Sequence, residues 1–132
     1  MDVQLVPVDD DRDTAGFFDA ARRGELAIRR CDGCDAVLHM PRAYCHSCGG
    51  WEGRWEPVSP RGTVYSWTVA EHQVHPLYPV PYTIVLVELD DLPGVRLVGR
   101  LDGAPDLVIG QPVEAWFETL TDGTVLPQWR VA

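Results

Sequence analysis

The sequence contains no lysine: all eleven of its basic residues are arginine, set against 20 carboxylates for a net charge of −9. Residues 1–66 hold eight arginines and eleven carboxylates, and residues 67–132 hold three and nine. An acidic surface repels a phosphate backbone, so sequence-independent nucleic-acid binding starts at a disadvantage. A local arginine patch for one small phosphorylated ligand stays compatible with that balance. No run approaches eighteen apolar residues, so no segment is expected to span a membrane. The acidic start of the chain, residues 1–13, lacks the basic-then-apolar order of a signal peptide, and the expectation is a cytoplasmic protein. There is no G-x-S-x-G elbow, no Gly-rich phosphate loop and no H-E-x-x-H. Histidine meets a carboxylate or hydroxyl neighbour only at Glu71-His72 and His46-Ser47, and adjacency in sequence is weak evidence of geometry. No catalytic residue is assigned, and the chain is not expected to turn over a substrate alone.

Cysteine is scarce but concentrated. All four lie within eighteen residues, as Cys31-Asp-Gly-Cys34 and Cys45-His-Ser-Cys48. In a cytoplasmic chain such pairs argue for metal rather than disulfides. Each C-x2-C forms a knuckle in which the backbone turns tightly and two thiolates converge on one ion. The residue after each second cysteine is expected to take a left-handed conformation, which Gly49 adopts freely and Asp35 tolerates. Four thiolates leave no open position, so a structural zinc is expected at Cys31, Cys34, Cys45 and Cys48. Iron in a rubredoxin-like site uses the same ligands, and spacing does not choose between the two metals. His39 and His46 lie close by and are read as solvated.

Ahead of the ribbon, a short helix is expected over residues 14–23. Asp13 or Thr14 would cap it, Phe17, Phe18 and Ala21 share a face, and Gly24 stops it. Residues 1–13 read as extended or disordered, 26–28 as a short strand and 50–60 as a connector. Five strand-like runs follow, at about 63–70, 82–90, 95–101, 112–119 and 125–131. In the first, Tyr65, Trp67 and Val69 alternate with Val64, Ser66 and Thr68. Turn sequences at 90–94 and 121–124 would join neighbours as hairpins. Gly99 suggests a bulge or sharp bend. The second run is apolar on both faces, so one face would fill the core and the other would need a cover. The fold expected is mainly β, a short N-terminal helix and a zinc ribbon followed by a five-stranded barrel, divided as residues 1–25, 26–56 and 57–132.

Residues 72–82 combine three prolines with two histidines and two tyrosines. A stiffened apolar loop loses little entropy on docking, so His72, His75, Leu77, Tyr78 and Tyr82 are candidate partner contacts. The alternative is that these side chains plug one end of the barrel.

In order, these pieces resemble the DUF35 family of zinc-ribbon OB-fold proteins. The resemblance runs from about Phe17 to Val131. It is carried by Phe17-Phe18 with Arg23-Gly24-Glu25-Leu26, the cysteine pairs with Pro41-Arg42 between them, and Trp55-Glu56-Pro57-Val58-Ser59 leading into 61–68. Pro81-Tyr82, 95–99 and 109–113 complete it. It implies a rubredoxin-like ribbon on a five-stranded OB-fold barrel. It also implies an accessory subunit that binds a thiolase-like enzyme, of thiolase or steroid side-chain aldolase type, and supports acyl-CoA binding there. An apolar wall suits pantetheine and arginine suits the CoA phosphates, with Arg22, Arg23, Arg42 and Arg61 as candidates. Two other readings are a single-stranded nucleic-acid binder, with Tyr65, Trp67 and Trp116 as stacking aromatics, and an independent thioesterase or hydratase.

Overall fold

The structure, a computed structural model, describes residues 4–132. Of the stretch read as extended or disordered, residues 1–3 lie outside the described residues, and residues 4–11 form neither helix nor strand. One α-helix and seven strands follow: α1 (Ala15–Arg22), β1 (Leu26–Cys31), β2 (Gly53–Val58), β3 (Arg61–Ala70), β4 (Tyr82–Leu89), β5 (Arg96–Asp102), β6 (Pro112–Thr119) and β7 (Val125–Val131). They divide between two compact units. One comprises Val6–Val58 and Thr119–Leu126; the other comprises Ser59–Glu118 and Pro127–Ala132, with Gln4 and Leu5.

In the first unit α1 buries Phe18, Ala20 and Ala21, and β1 buries Leu26, Ala27 and Ile28. Gly24 follows the helix as expected, and the amides of Gly24 and Glu25 close its last turn onto Ala21 and Ala20. The expected N-cap is not made. Thr14 occupies that position without a side-chain bond, and Asp13 directs its carboxylate to the Ala43 amide at 2.7 Å. The stretch read as a connector contains strand β2, which pairs antiparallel with β1 from Leu26↔Val58 to Cys31↔Gly53. Its Gly, Trp and Pro content hid it. Pro57 is tolerated because the sheet has only two strands, so β2 has a free edge.

The second unit holds one five-stranded sheet in the order β5-β4-β3-β6-β7. The hairpin neighbours read from the turn sequences, β4 with β5 and β6 with β7, are adjacent in it. On β4, Thr83, Val85, Val87 and Leu89 are all buried, as the core-filling face should be. The opposite face is not covered throughout, for Ile84 is 40% exposed. The alternation read along β3 breaks at a register shift between Val64 and Ser66. Val64 joins the core, whereas Tyr65, Ser66, Trp67 and Thr68 are all exposed. A bulge of this kind sharpens the twist of the strand and lets the sheet curl.

Gly99 marks no bulge. The β4–β5 register runs through Val85↔Gly99 without interruption. Its role is close approach, because a Cβ there would lie 2.7 Å from the Trp129 indole of β7. The two edge strands of the sheet thus meet around Trp129, which is 1% exposed. Removing so large a buried ring leaves a cavity the sheet cannot close. Trp129→Ala should therefore lower the unfolding free energy by about 3–5 kcal/mol in urea titrations, and a change under about 1 kcal/mol would show that the ring is not the keystone of this sheet.

Candidate metal centre

The two knuckles repeat one backbone pattern. The amide of Cys31 donates to the carbonyl of Ala36 (2.9 Å), and that of Asp35 donates back to Cys31 (2.9 Å). The amide of Cys45 donates to Gly50 (2.8 Å), and that of Gly49 to Cys45 (2.9 Å). Each loop closes through one left-handed residue, Asp35 at φ 62° and Gly49 at φ 77°, the two positions expected. The result brings all four sulfurs together.

Across the knuckles, Cys31 and Cys48 stand 3.5 Å apart at sulfur, and Cys34 and Cys45 3.6 Å. The whole set lies within 4.8 Å. Four thiolates about 2.3 Å from a central ion would have edges of about 3.8 Å. The separations therefore fit a tetrahedral thiolate cage and are far too long for disulfide bonds. The chemistry of the donors agrees, since four soft sulfurs suit zinc or iron and supply no hard oxygen ligand.

The electrostatics show four thiols crowded on one point. Cys45 is drawn down to about 6, first by the backbone amide of Cys48 and then by that of Ser47. Cys34 receives a favourable amide from Ala36, yet the sulfur of Cys45 and burial push it up to about 12. One sulfur thus gives up its proton readily and its neighbour resists. A cation at the centre would relieve that conflict.

Little else holds this region. Its buried cluster is Cys31, Leu38 and Cys45, with Ala36 against it. Salt bridges brace the first knuckle from outside. Arg54 bonds Asp32, Asp35 and Glu56, and Arg30 bonds Glu56 at 2.9 Å and the Asp35 carbonyl at 2.9 Å. The Glu56 carboxyl is held below its usual range, first by Arg30 and then by Arg54.

The other candidates are more dispersed. Arg22 pairs with Asp9 and Asp19, Arg23 with Glu25, and Arg61 with Glu114. Arg42 makes no ion pair among the described residues. Leu77, Tyr78 and Tyr82 line a cavity of about 400 Å³ together with Arg100 and Glu118. His75 packs its ring on Tyr78 at 5.4 Å and accepts the Leu77 amide at its Nδ1, while His72 points to solvent. The polar network in that wall is not legible from the sequence. Arg100 forks onto Glu118 at 3.1 and 2.8 Å, and Glu118 also receives Gln128 at 3.0 Å. No local pattern links these partners, which lie on three different strands. Among the described residues no helix is long and apolar enough to cross a membrane.

A family model for the ChsH2 rubredoxin-like zinc ribbon domain matches residues 18–52, and one for the ChsH2 C-terminal OB-fold domain matches residues 55–118. The chain is similar to the solved Ltp2-ChsH2(DUF35) aldolase, at 35% identity and a TM-score of 0.85, over 95% of this chain and 98% of that one. A DUF35 protein of unknown function from Sulfolobus solfataricus shares the fold at 15% identity, with a TM-score of 0.58 over 88% of this chain and 82% of that one. A probable enoyl-CoA hydratase alpha subunit of Thermomonospora curvata is 43% identical over 92% of this chain and 38% of its own length. The 3-oxo-4,17-pregnadiene-20-carboxyl-CoA hydratase alpha subunit of Mycobacterium tuberculosis is 37% identical over 84% of this chain and 35% of its length. The chain thus spans little more than a third of the curated relatives it matches.

The cage makes a direct prediction. The reduced chain should bind one metal ion, and Cys34→Ser should abolish that binding. Chelation, or acid that reprotonates the thiolates, should release the metal and speed amide exchange across residues 31–50. Full exchange protection in excess chelator would show that the ribbon stands without an ion.

Proposed function

The chain belongs to the DUF35 family of zinc-ribbon OB-fold proteins, and from that premise we propose that it is an accessory subunit which binds a thiolase-like enzyme and supports acyl-CoA processing in the complex. One observation carries this reading: the chain matches nearly the whole of its counterpart in an aldolase assembled from ChsH2 and Ltp2. In this reading zinc sits in the tetrathiolate cage. With every coordination position filled by sulfur, it orders the ribbon and takes no part in chemistry.

The charge pattern favours a protein partner over nucleic acid. Arg61, Arg96, Arg100 and Arg130, the arginines of the barrel unit, pair with Glu114, Glu88, Glu118 and Glu114 in turn. None is left to neutralise a phosphate backbone. One face of Tyr65 is covered by the Arg96 guanidinium at 3.8 Å and is closed to a base. The same logic applies to three of the four arginines considered for CoA, whereas Arg42 holds no carboxylate among the described residues and a single guanidinium makes no clamp. Arg22, Arg23 and Arg61 would each have to release a carboxylate to hold a phosphate. Acyl-CoA support is therefore assigned to the complex and its partner enzyme rather than to a phosphate clamp on this chain.

The loop between β3 and β4 is the contact proposed on the barrel unit. Leu77 is 43% exposed beside Tyr78, and the Tyr78 hydroxyl is tied to the Leu5 carbonyl at 3.1 Å. Such a loop is ordered before it docks, which limits the entropy lost on binding.

Co-expression with thiolase-like proteins of the same organism should give a stable hetero-oligomer by size exclusion with light scattering. The complex should turn over acyl-CoA esters faster than the partner alone, and the isolated chain should not turn them over. Leu77→Asp should weaken assembly about tenfold, the equivalent of about 1.4 kcal/mol. Separate elution of both proteins with unchanged turnover would refute the reading.

A further inference from the structure

Eight of the eleven arginines hold carboxylates, and the other three lie in one unit. Arg22, Arg23, Arg30, Arg54, Arg61, Arg96, Arg100 and Arg130 all hold carboxylates. Arg12, Arg29 and Arg42 hold none among the described residues. With 20 carboxylates in the chain, anions are not in short supply. All three unpaired arginines belong to the ribbon unit.

They gather around residues 42–44. Arg29 donates its Nε to the Arg42 carbonyl at 3.1 Å. Asp13, next to Arg12, accepts the Ala43 amide at 2.7 Å. The Arg12 guanidinium lies 4.8 Å from the centre of the Trp51 ring, and Trp51 packs against Tyr44 at 5.2 Å. The carboxylates nearest Arg12 in sequence are engaged with backbone: Asp13 with Ala43, and Asp11 with the Asp13 amide at 2.8 Å. Trp51 is 55% exposed, Tyr44 43% and Met40 73%. Free guanidinium, tryptophan, tyrosine and methionine are the residues enriched where proteins bind proteins.

The shape argues against a ligand the size of a nucleotide cofactor. The cavity beside Arg42, formed with Leu38, His39, Met40 and His46, measures about 190 Å³. Ligand pockets usually enclose about 300–1,000 Å³. Arg12 lies over one face of Trp51 and Tyr44 packs beside it, so part of that ring is already in use within the chain. An open aromatic surface bearing three guanidiniums that hold no carboxylate among the described residues fits carboxylates presented by another protein.

We propose that Arg12, Arg29 and Arg42, flanked by Tyr44 and Trp51, are the surface with which the ribbon unit grips a cluster of carboxylates on the partner enzyme. This rests on the reading of the chain as a subunit, and it adds which face docks and what chemistry the partner presents. Fork-shaped guanidinium–carboxylate pairs supply direction, and the exposed rings exclude water around them.

The test measures the affinity of the full chain for its co-expressed thiolase-like partner at several salt concentrations. Wild-type affinity should fall steeply with salt. Arg12→Glu and Arg42→Glu should each weaken binding about tenfold or more and flatten the salt dependence. Arg130→Glu, an equal charge change on the other unit, should stay within about threefold. Reversal variants that bind like wild type would overturn the inference while leaving the subunit reading intact. A wild-type chain that binds no such enzyme would remove both. Calorimetry with CoA alone supplies a third arm: binding that the reversals abolish would reassign the patch to a small anion and overturn the proposal. Arginine-selective labelling of the wild-type proteins is independent of how the variants fold. Arg12 and Arg42 should react in the free chain and be protected in the complex, and equal reactivity in both would also overturn the proposal.

Discussion

Four sulfurs converging within 4.8 Å are the constraint on which the ribbon depends. Among the described residues its buried cluster is Cys31, Cys45 and Leu38, with Ala36 against it. A cluster that small gains too little from burial to offset the conformational entropy of some twenty ordered residues. Metal–thiolate bonds can supply the difference, and they act at one point from which both knuckles are fixed. The repeated hydrogen bonds around Cys31 and Cys45 and the left-handed turns at Asp35 and Gly49 shape the backbone so that the sulfurs meet. Strand β1 ends on Cys31 and begins with the buried Leu26, so it joins the metal centre to the residues buried by α1 and β1.

The second organising feature is the all-arginine cationic set. A guanidinium presents a rigid fork, and this protein uses it mostly as internal bracing. Arg54 spans three carboxylates beside the first knuckle, and Arg100 ties β5 to β6 through Glu118. These exposed and half-exposed pairs contribute modestly to stability. Their clearer effect is to neutralise charge, leaving strongly acidic surroundings in which a few unpaired cations stand out.

Most strands were legible because the five barrel runs combine β-branched or aromatic residues with turn sequences at their ends. The runs at 112–119 and 125–131 coincide with β6 and β7. Strand β2 was missed because Trp, Pro and Gly obscure its pattern and its edge needs no alternation. The bulge in β3 was invisible for a different reason: Tyr65, Trp67 and Val69 alternate well in sequence, but pairing with β4 shifts register at Val64/Ser66. Gly99 was noticed, yet its purpose depends on Trp129, thirty residues along the chain. At the helix start, Asp13 was available as a cap and was taken by Ala43 instead.

By itself the sequence determined the knuckles and their left-handed residues, because ligands three positions apart share one turn and need nothing distant to define them. It also determined the family resemblance, which rests on short runs of residues in order. Which arginines are neutralised follows from the folded arrangement alone. Arg30 meets Glu56 across 26 positions and Arg100 meets Glu118 across 18, and ion pairing falls off too steeply with distance for composition to reveal it. That Arg12, Arg29 and Arg42 hold no carboxylate among the described residues becomes visible only once the chain is folded.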